Sequence, residues 1–314
     1  MSSTTIESFG YGFRKTDQQE EKVLSSRDCS ESRTLDKISA DFEGFKYILE
    51  RQARTRWNFY LWRKETLGDF RRMIFDEARD FVASHNHSLD ELHAFVVAKQ
   101  DAFDADDLSA LGVFLSAYYS DSKEKVIVYN LDVELGYLGV MLPGDKTLIS
   151  YGILGSHFGS AASGLIINAG IARRMTCSNA SGGVINTKTV NGKALYSDTS
   201  PDWLFLINTG YVGEISNQGL VVSTGMLDCW GGANTLIELD TLAKCKEMPE
   251  LYKYVHHIES VIAAGEKNHD IARQYFSQWQ NPSKQITRDM INIIHHYYPN
   301  KTNYQLQNLA WRLS

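Results

Sequence analysis

Two aliphatic residues, then Ser or Asn, then any residue, then Gly: this motif recurs through the middle of the chain and dominates its folding options. Full copies lie at 148–152 (LISYG), 166–170 (IINAG), 206–210 (LINTG) and 221–225 (VVSTG). At 184–188 (VINTK) Lys188 stands in the glycine position, and degenerate copies lie at 127–131 (IVYNL) and 236–240 (LIELD). Successive third positions are 21, 18, 18, 22, 15 and 15 residues apart. A unit of that size cannot bury its own apolar side, so neighbouring copies must stack. Each copy has room for two or three short strands joined by tight turns. The pattern predicts a β-solenoid (β-helix) of about seven coils over 126–239, roughly 30 Å long at the usual strand spacing.

Composition within that stretch agrees. It holds 17 of the chain's 23 glycines but only 13 charged residues in 114, so its strands must be largely buried. The apolar runs are continuous, which argues against the polar alternation of half-exposed hairpins. Ser150, Asn168, Asn186, Asn208 and Ser223 fall at one recurring position. They are expected to form a structural ladder that passes hydrogen bonds between coils.

Helical periodicity flanks this stretch. Ile38, Phe42, Phe45 and Leu49 repeat at spacings of three and four, Trp57 and Leu61 continue the stripe, and Gly68 is expected to break it. Ser88 with Glu91 reads as a capping box, and 104–107 supplies acids for a further helix start. After 240, Leu251, Val255, Ile258 and Ile262 lead to Gly265. A short helix then ends at Pro282, and another runs from Ile286 towards Pro299. The expected fold class is therefore mixed α and β. A flexible tail (1–34) and a helical N-terminal cap (35–125) precede the solenoid (126–239), and a helical C-terminal cap (240–314) follows it. Caps are needed because terminal coils expose strand edges.

The stretch 206–225 (LINTGYVGEISNQGLVVSTG) and its counterpart at 148–170 resemble the glycine-rich solenoid called the GXGXG domain. That domain forms the C-terminal part of the large chain of glutamate synthase, and it makes up one entire component of formylmethanofuran dehydrogenase. The resemblance implies a structural, subunit-bridging role without catalytic residues.

The chain has no strong drive towards nucleic acid or anionic membrane, its net charge being −6. Its N-terminus lacks an apolar signal region, and no uncharged run approaches a membrane span, so a cytoplasmic protein is expected. Cys29, Cys177, Cys229 and Cys245 form no CxxC pair. They read as free thiols of a reducing compartment. No P-loop, G-x-S-x-G or metal-ligand spacing is present, so no cofactor or metal is expected. His85 with His87, His256 with His257 and His295 with His296 are poorly spaced for a shared ion on a helix. His157 lies near Ser156 and Ser160 without an evident orienting acid. The run Asp101, Asp104, Asp106, Asp107 lacks the glycine and closing Glu of a calcium loop and suits helix capping.

The most distinctive polar stretch is 46–72. Eight basic residues face three acids there, interleaved with aromatics. Arg51, Arg54, Arg56, Trp57, Trp62 and Arg63 are the candidate binding residues. They suit a solvated helix packed on the solenoid, a protein interface, or phosphate and base contacts with nucleic acid. The expected function is a non-catalytic interaction or scaffold protein with a protein partner or self-association. The alternatives are a nucleic-acid-associated factor using 46–72 and a structural subunit of an enzyme complex.

Overall fold

The computed structural model describes residues 32–49, 67–173, 177, 180–196, 205–216, 220–230, 235–239 and 242–297. Two parallel sheets form a β-solenoid. The larger has seven strands: β1 (Val126–Tyr129), β2 (Thr147–Ser150), β4 (Leu165–Asn168), β6 (Gly183–Asn186), β8 (Phe205–Asn208), β10 (Leu220–Ser223) and β12 (Thr235–Glu238), in that spatial order. The smaller contains five: β3 (Ile153–Leu154), β5 (Ile171–Ala172), β7 (Thr189–Tyr196), β9 (Tyr211–Ser216) and β11 (Met226–Trp230). Ile127, Leu148, Ile166, Val184, Leu206, Val221 and Leu236 are aligned across the larger sheet, the register implied by the motif.

The solenoid makes about four turns, fewer than the seven coils expected from the motif. Among the described residues, β1 is followed by a single bridge, Leu135 to Leu154 of the smaller sheet, and β12 by no strand of that sheet, so a motif copy is not always a complete coil.

Side chains alternate across each strand. In FLIN, Leu206 enters the solenoid interior, whereas Phe205 and Ile207 join a second core outside it. The interior column also takes Leu154, Ala172, Val190 and Val212 from the smaller sheet. It runs without a break into the N-terminal helices: α1 (32–49), α2 (Leu67–Ala83), α3 (Leu89–Lys99) and α4 (Ala105–Asp121). The Ser88–Glu91 capping box forms on α3. Asp104 caps α4 by accepting from the backbone N–H groups of Asp106 and Asp107. α4 lies against the first coil: Ser116 Oγ accepts from Gly139 N at 2.8 Å. Gly112 is necessary there, because an added Cβ would sit 1.8 Å from the Gly136 carbonyl oxygen.

The C-terminal helices are α5 (Leu242–Glu247), α6 (Pro249–Lys267), α7 (His269–Ser277) and α8 (Pro282–Tyr297). The sequence suggests an end cap, but α6, α7 and α8 pack along the outer face of the larger sheet. Leu251, Val255, Ile258 and Ile262 of α6 and Ile286, Met290, Ile291 and Ile294 of α8 share a core with Ile149, Ile167, Ile185, Ile207 and Val222. Each buried aliphatic contributes about 1.5–3 kcal/mol, so this face is a main source of stability. It also explains the continuously apolar strands, which are covered on both sides.

Three expected breakers act differently. Gly68 lies within the first turn of α2, and residues 50–66, where the stripe was expected to continue, fall outside the described residues. Gly265 lies within α6, where an added Cβ would come within 2.3 Å of Tyr151 Oη. Pro282 opens α8, since the first helical position needs no N–H donor.

Candidate functional site

Asn168 Nδ2 donates to Asn186 Oδ1 and Asn186 Nδ2 donates to Asn208 Oδ1, both at 2.8 Å; Asn208 Nδ2 donates to Ser223 Oγ at 3.1 Å. These groups are buried inside the stack. Each amide also reaches backbone carbonyls at the following turn, as Asn186 does with Lys188 and Tyr211. Ser150 Oγ is buried without a hydrogen-bond partner among the described residues. The amides of Asn168, Asn186 and Asn208 and the Ser223 hydroxyl are committed to one another, leaving them little capacity for a ligand.

The arc linking the two sheets on the remaining side has unusual backbone. Tyr137, Met141, His157, Ala161 and Cys177 hold φ between 54° and 64°. Non-glycine residues in this region cost about 1–2 kcal/mol each. Coil-to-coil hydrogen bonds hold the arc, for example Gly159 N to Leu138 O at 2.8 Å. Tyr137 and His157 stack at 4.6 Å with their rings 7° apart.

The smaller sheet presents the clearest surface. Ile153, Ile171, Thr189, Tyr211 and Met226 are paired in register across its five strands. The adjacent positions Leu154, Ala172, Val190, Val212 and Leu227 pack inward, so this row faces outward. Ile171 is 44% exposed and Met226 63%. The larger sheet carries helices on its outer face, whereas this row leaves large apolar side chains in solvent.

Several ionisable groups are buried for packing. His93 Nε2 lies 2.8 Å from Tyr119 Oη. Burial pushes its imidazole pKa down, Asp90 opposes this and Arg273 adds to it. The Lys146 ammonium donates to the carbonyls of Ser122 and Glu124 at the end of α4. Burial lowers its pKa against the opposing charges of Asp145, Asp121 and Glu124. Burial also raises the Cys177 thiol, leaving it protonated and inert.

The paired histidines separate by role. His85 and His87 both face Asp41. His256 pairs with Glu259, whereas His257 packs edge-on to Tyr275. His295 and His296 occupy the last turn of α8. Among the described residues no group of three or more His, Cys, Asp or Glu is arranged to hold a metal ion. Arg51, Arg54, Arg56, Trp57, Trp62 and Arg63 lie outside the described residues. Within 46–72, Lys46 is described and pairs with Glu43 and Asp107.

The outward row of the smaller sheet was not anticipated from the sequence. Its signal was the position three after each motif asparagine or serine (Ile153, Ile171, Thr189, Tyr211, Met226), which is apolar in four of five copies. No described helix is long and apolar enough to cross a membrane. Comparison with protein-family models, with curated proteins and with solved structures gives no match.

Proposed function

We propose that the protein is a non-catalytic interaction protein that presents the open face of its smaller sheet to a protein partner. The supporting observation is the outward row Ile153, Ile171, Thr189, Tyr211 and Met226, with Ile171 and Met226 strongly exposed. Parallel sheets are normally covered on both faces, and an apolar row left open marks an interaction surface. Five strands at the usual spacing give it a length of roughly 20 Å, suited to a helix or strand of a partner. The resemblance to the GXGXG domain, a subunit-bridging element, supports the same reading. So does the commitment of the interior amides to the fold. In this reading the helices before 126 close one end of the stack, each of the seven motif copies adds a rung to it, and the reduced thiols Cys177 and Cys245 suit a cytoplasmic setting.

The test is quantitative affinity purification with mass spectrometry, comparing the wild type with the double variant Ile171→Lys and Met226→Lys. A protein retained by the wild type and lost from a folded variant supports the assignment. Equal retention by both overturns it. Salt-sensitive nucleic acid that disappears on replacing Arg51, Arg54 and Arg56 with Glu would instead favour the nucleic-acid role of 46–72.

A further inference from the structure

The stack ends on two bare strands. β12 is the last strand of the larger sheet and β11 the last of the smaller, and neither has a further strand beside it among the described residues. α5, which follows β12, packs against α6.

Burial changes at this last rung. In the interior, Ile166, Val184, Leu206 and Val221 are buried, whereas Leu236 at the same position is only partly buried. In the outer core Ile207 and Val222 are buried and Ile237 only partly so. In the smaller sheet Val190 and Val212 are buried and Leu227 only partly so. Three side chains, from both sheets, therefore lack the cover that a following rung gives at the earlier positions.

The register fixes which backbone groups face this end. Leu239 N donates back to Ser223 O, and Met226 N donates back to Gly210 O. Successive residues of a strand turn their N–H and C=O groups to opposite sides. Leu236 of β12 and Leu227 of β11 therefore direct theirs along the stack, away from the preceding rung. Such edges are templates for pairing with another chain.

We propose that this end is the interface of a two-fold dimer, in which β12 pairs antiparallel with β12 of a second copy and β11 pairs with β11. A lone extended peptide matches only one of the two edges. A second copy offers both, at the separation set by the same interior column, and a two-fold axis normal to the sheets brings them together. Directly opposed residues of an antiparallel pair lie on the same face. Two registers centred on the middle of β12 satisfy this. Centring on Ile237 would set Leu236 against Glu238, a carboxylate against an interior leucine. Centring on Leu236 sets leucine against leucine, and the N–H and C=O of each reach the other. The second register is the one assigned. With α4 lying against the first coil at the other end, the contact is isologous and stops at two copies. Two short strands and the interior between them bury less than about 1,200 Å² in total, at the low end of specific interfaces, so a micromolar dissociation constant is expected. This surface is the end of the stack and is distinct from the open face of the smaller sheet.

Sedimentation velocity of the full chain, at concentrations from about 1 to 200 μM around the expected dissociation constant, tests the dimer. The wild type should pass from monomer to dimer and no further. Leu236→Lys places a charge on the edge and should weaken dimerisation about tenfold or more. Ile171→Lys, on the open face, should leave it unchanged. Circular dichroism checks the fold of each variant. Leu236→Cys gives a second readout that decides the matter should Leu236→Lys fail to fold. Facing residues of a hydrogen-bonded antiparallel pair have Cα atoms about 5.5 Å apart, within reach of a disulfide. Mild oxidation should therefore yield a 236–236 bridge between copies, identified by peptide mass spectrometry, whereas Ile171→Cys should yield no 171–171 bridge. A wild type that stays monomeric or grows beyond two copies would overturn the proposal. So would undiminished dimerisation of folded Leu236→Lys, loss of the dimer in Ile171→Lys, or absence of the 236–236 bridge.

Discussion

Replacing Asn186 with Ala removes the middle of the interior amide chain. Asn186 is buried. Its Nδ2 donates to Asn208 Oδ1 at 2.8 Å, to Tyr211 O at 3.2 Å and to Lys188 O at 3.3 Å, while its Oδ1 accepts from Asn168 Nδ2 at 2.8 Å. The variant leaves Asn208 Oδ1 without that donor and deprives Asn168 Nδ2 of its shortest bond, although Thr189 O still accepts from it at 3.1 Å. Each stranded buried polar group costs about 1–3 kcal/mol, so a loss of about 2–4 kcal/mol is expected. Ser150→Ala is the internal control. Its hydroxyl has no partner among the described residues, so its removal should be neutral or stabilising by up to about 1 kcal/mol. Urea unfolding followed by circular dichroism measures both, with an unchanged slope as the condition for comparison. A loss below about 0.5 kcal/mol for Asn186→Ala, or equal losses for the two variants, would refute the account of the amides as a coupled chain.

Gly112→Ala should destabilise by about 1–3 kcal/mol or more, because the new methyl meets the Gly136 carbonyl rather than a movable side chain; thermal unfolding reports it. His93 has a depressed folded-state pKa, so the unfolded chain binds its proton more readily. Its contribution is therefore complete above the ordinary imidazole value of about 6.5 and declines as the pH falls below it. His93→Gln should flatten that acid limb in urea titrations at several pH values, and an identical limb would contradict the assignment. Lys146→Met should cost about 1–3 kcal/mol by leaving the carbonyls of Ser122 and Glu124 without their ammonium donor, and unfolding at neutral pH measures it.

Local rules made much of the architecture legible. The spacing of the aliphatic doublets carries the strand register, because a one-residue slip would turn Leu206 or Ile166 away from the interior. Ser88 with Glu91 and Asp104 with its following amides need only their own neighbours to form their caps. The solenoid and the position of several helix starts follow from such short-range chemistry. The Asp41 cluster was not legible, since nothing local links Asp41 to His85 and His87. Nor was the open row, because only knowing what covers each sheet tells an exposed aliphatic from a buried one.

Sequence alone determined that the centre would stack, which residues of its main strands would align, and that helices would flank it. Tertiary structure decided where those helices go. Strands such as FLIN and LIIN are apolar on both faces, so the outer side of the larger sheet offers more surface to bury than the end of the stack. α6, α7 and α8 lie against it for that reason. The smaller sheet was left with Ile171 and Met226 in solvent, and the proposed interaction surface rests on this asymmetry between the two sheets.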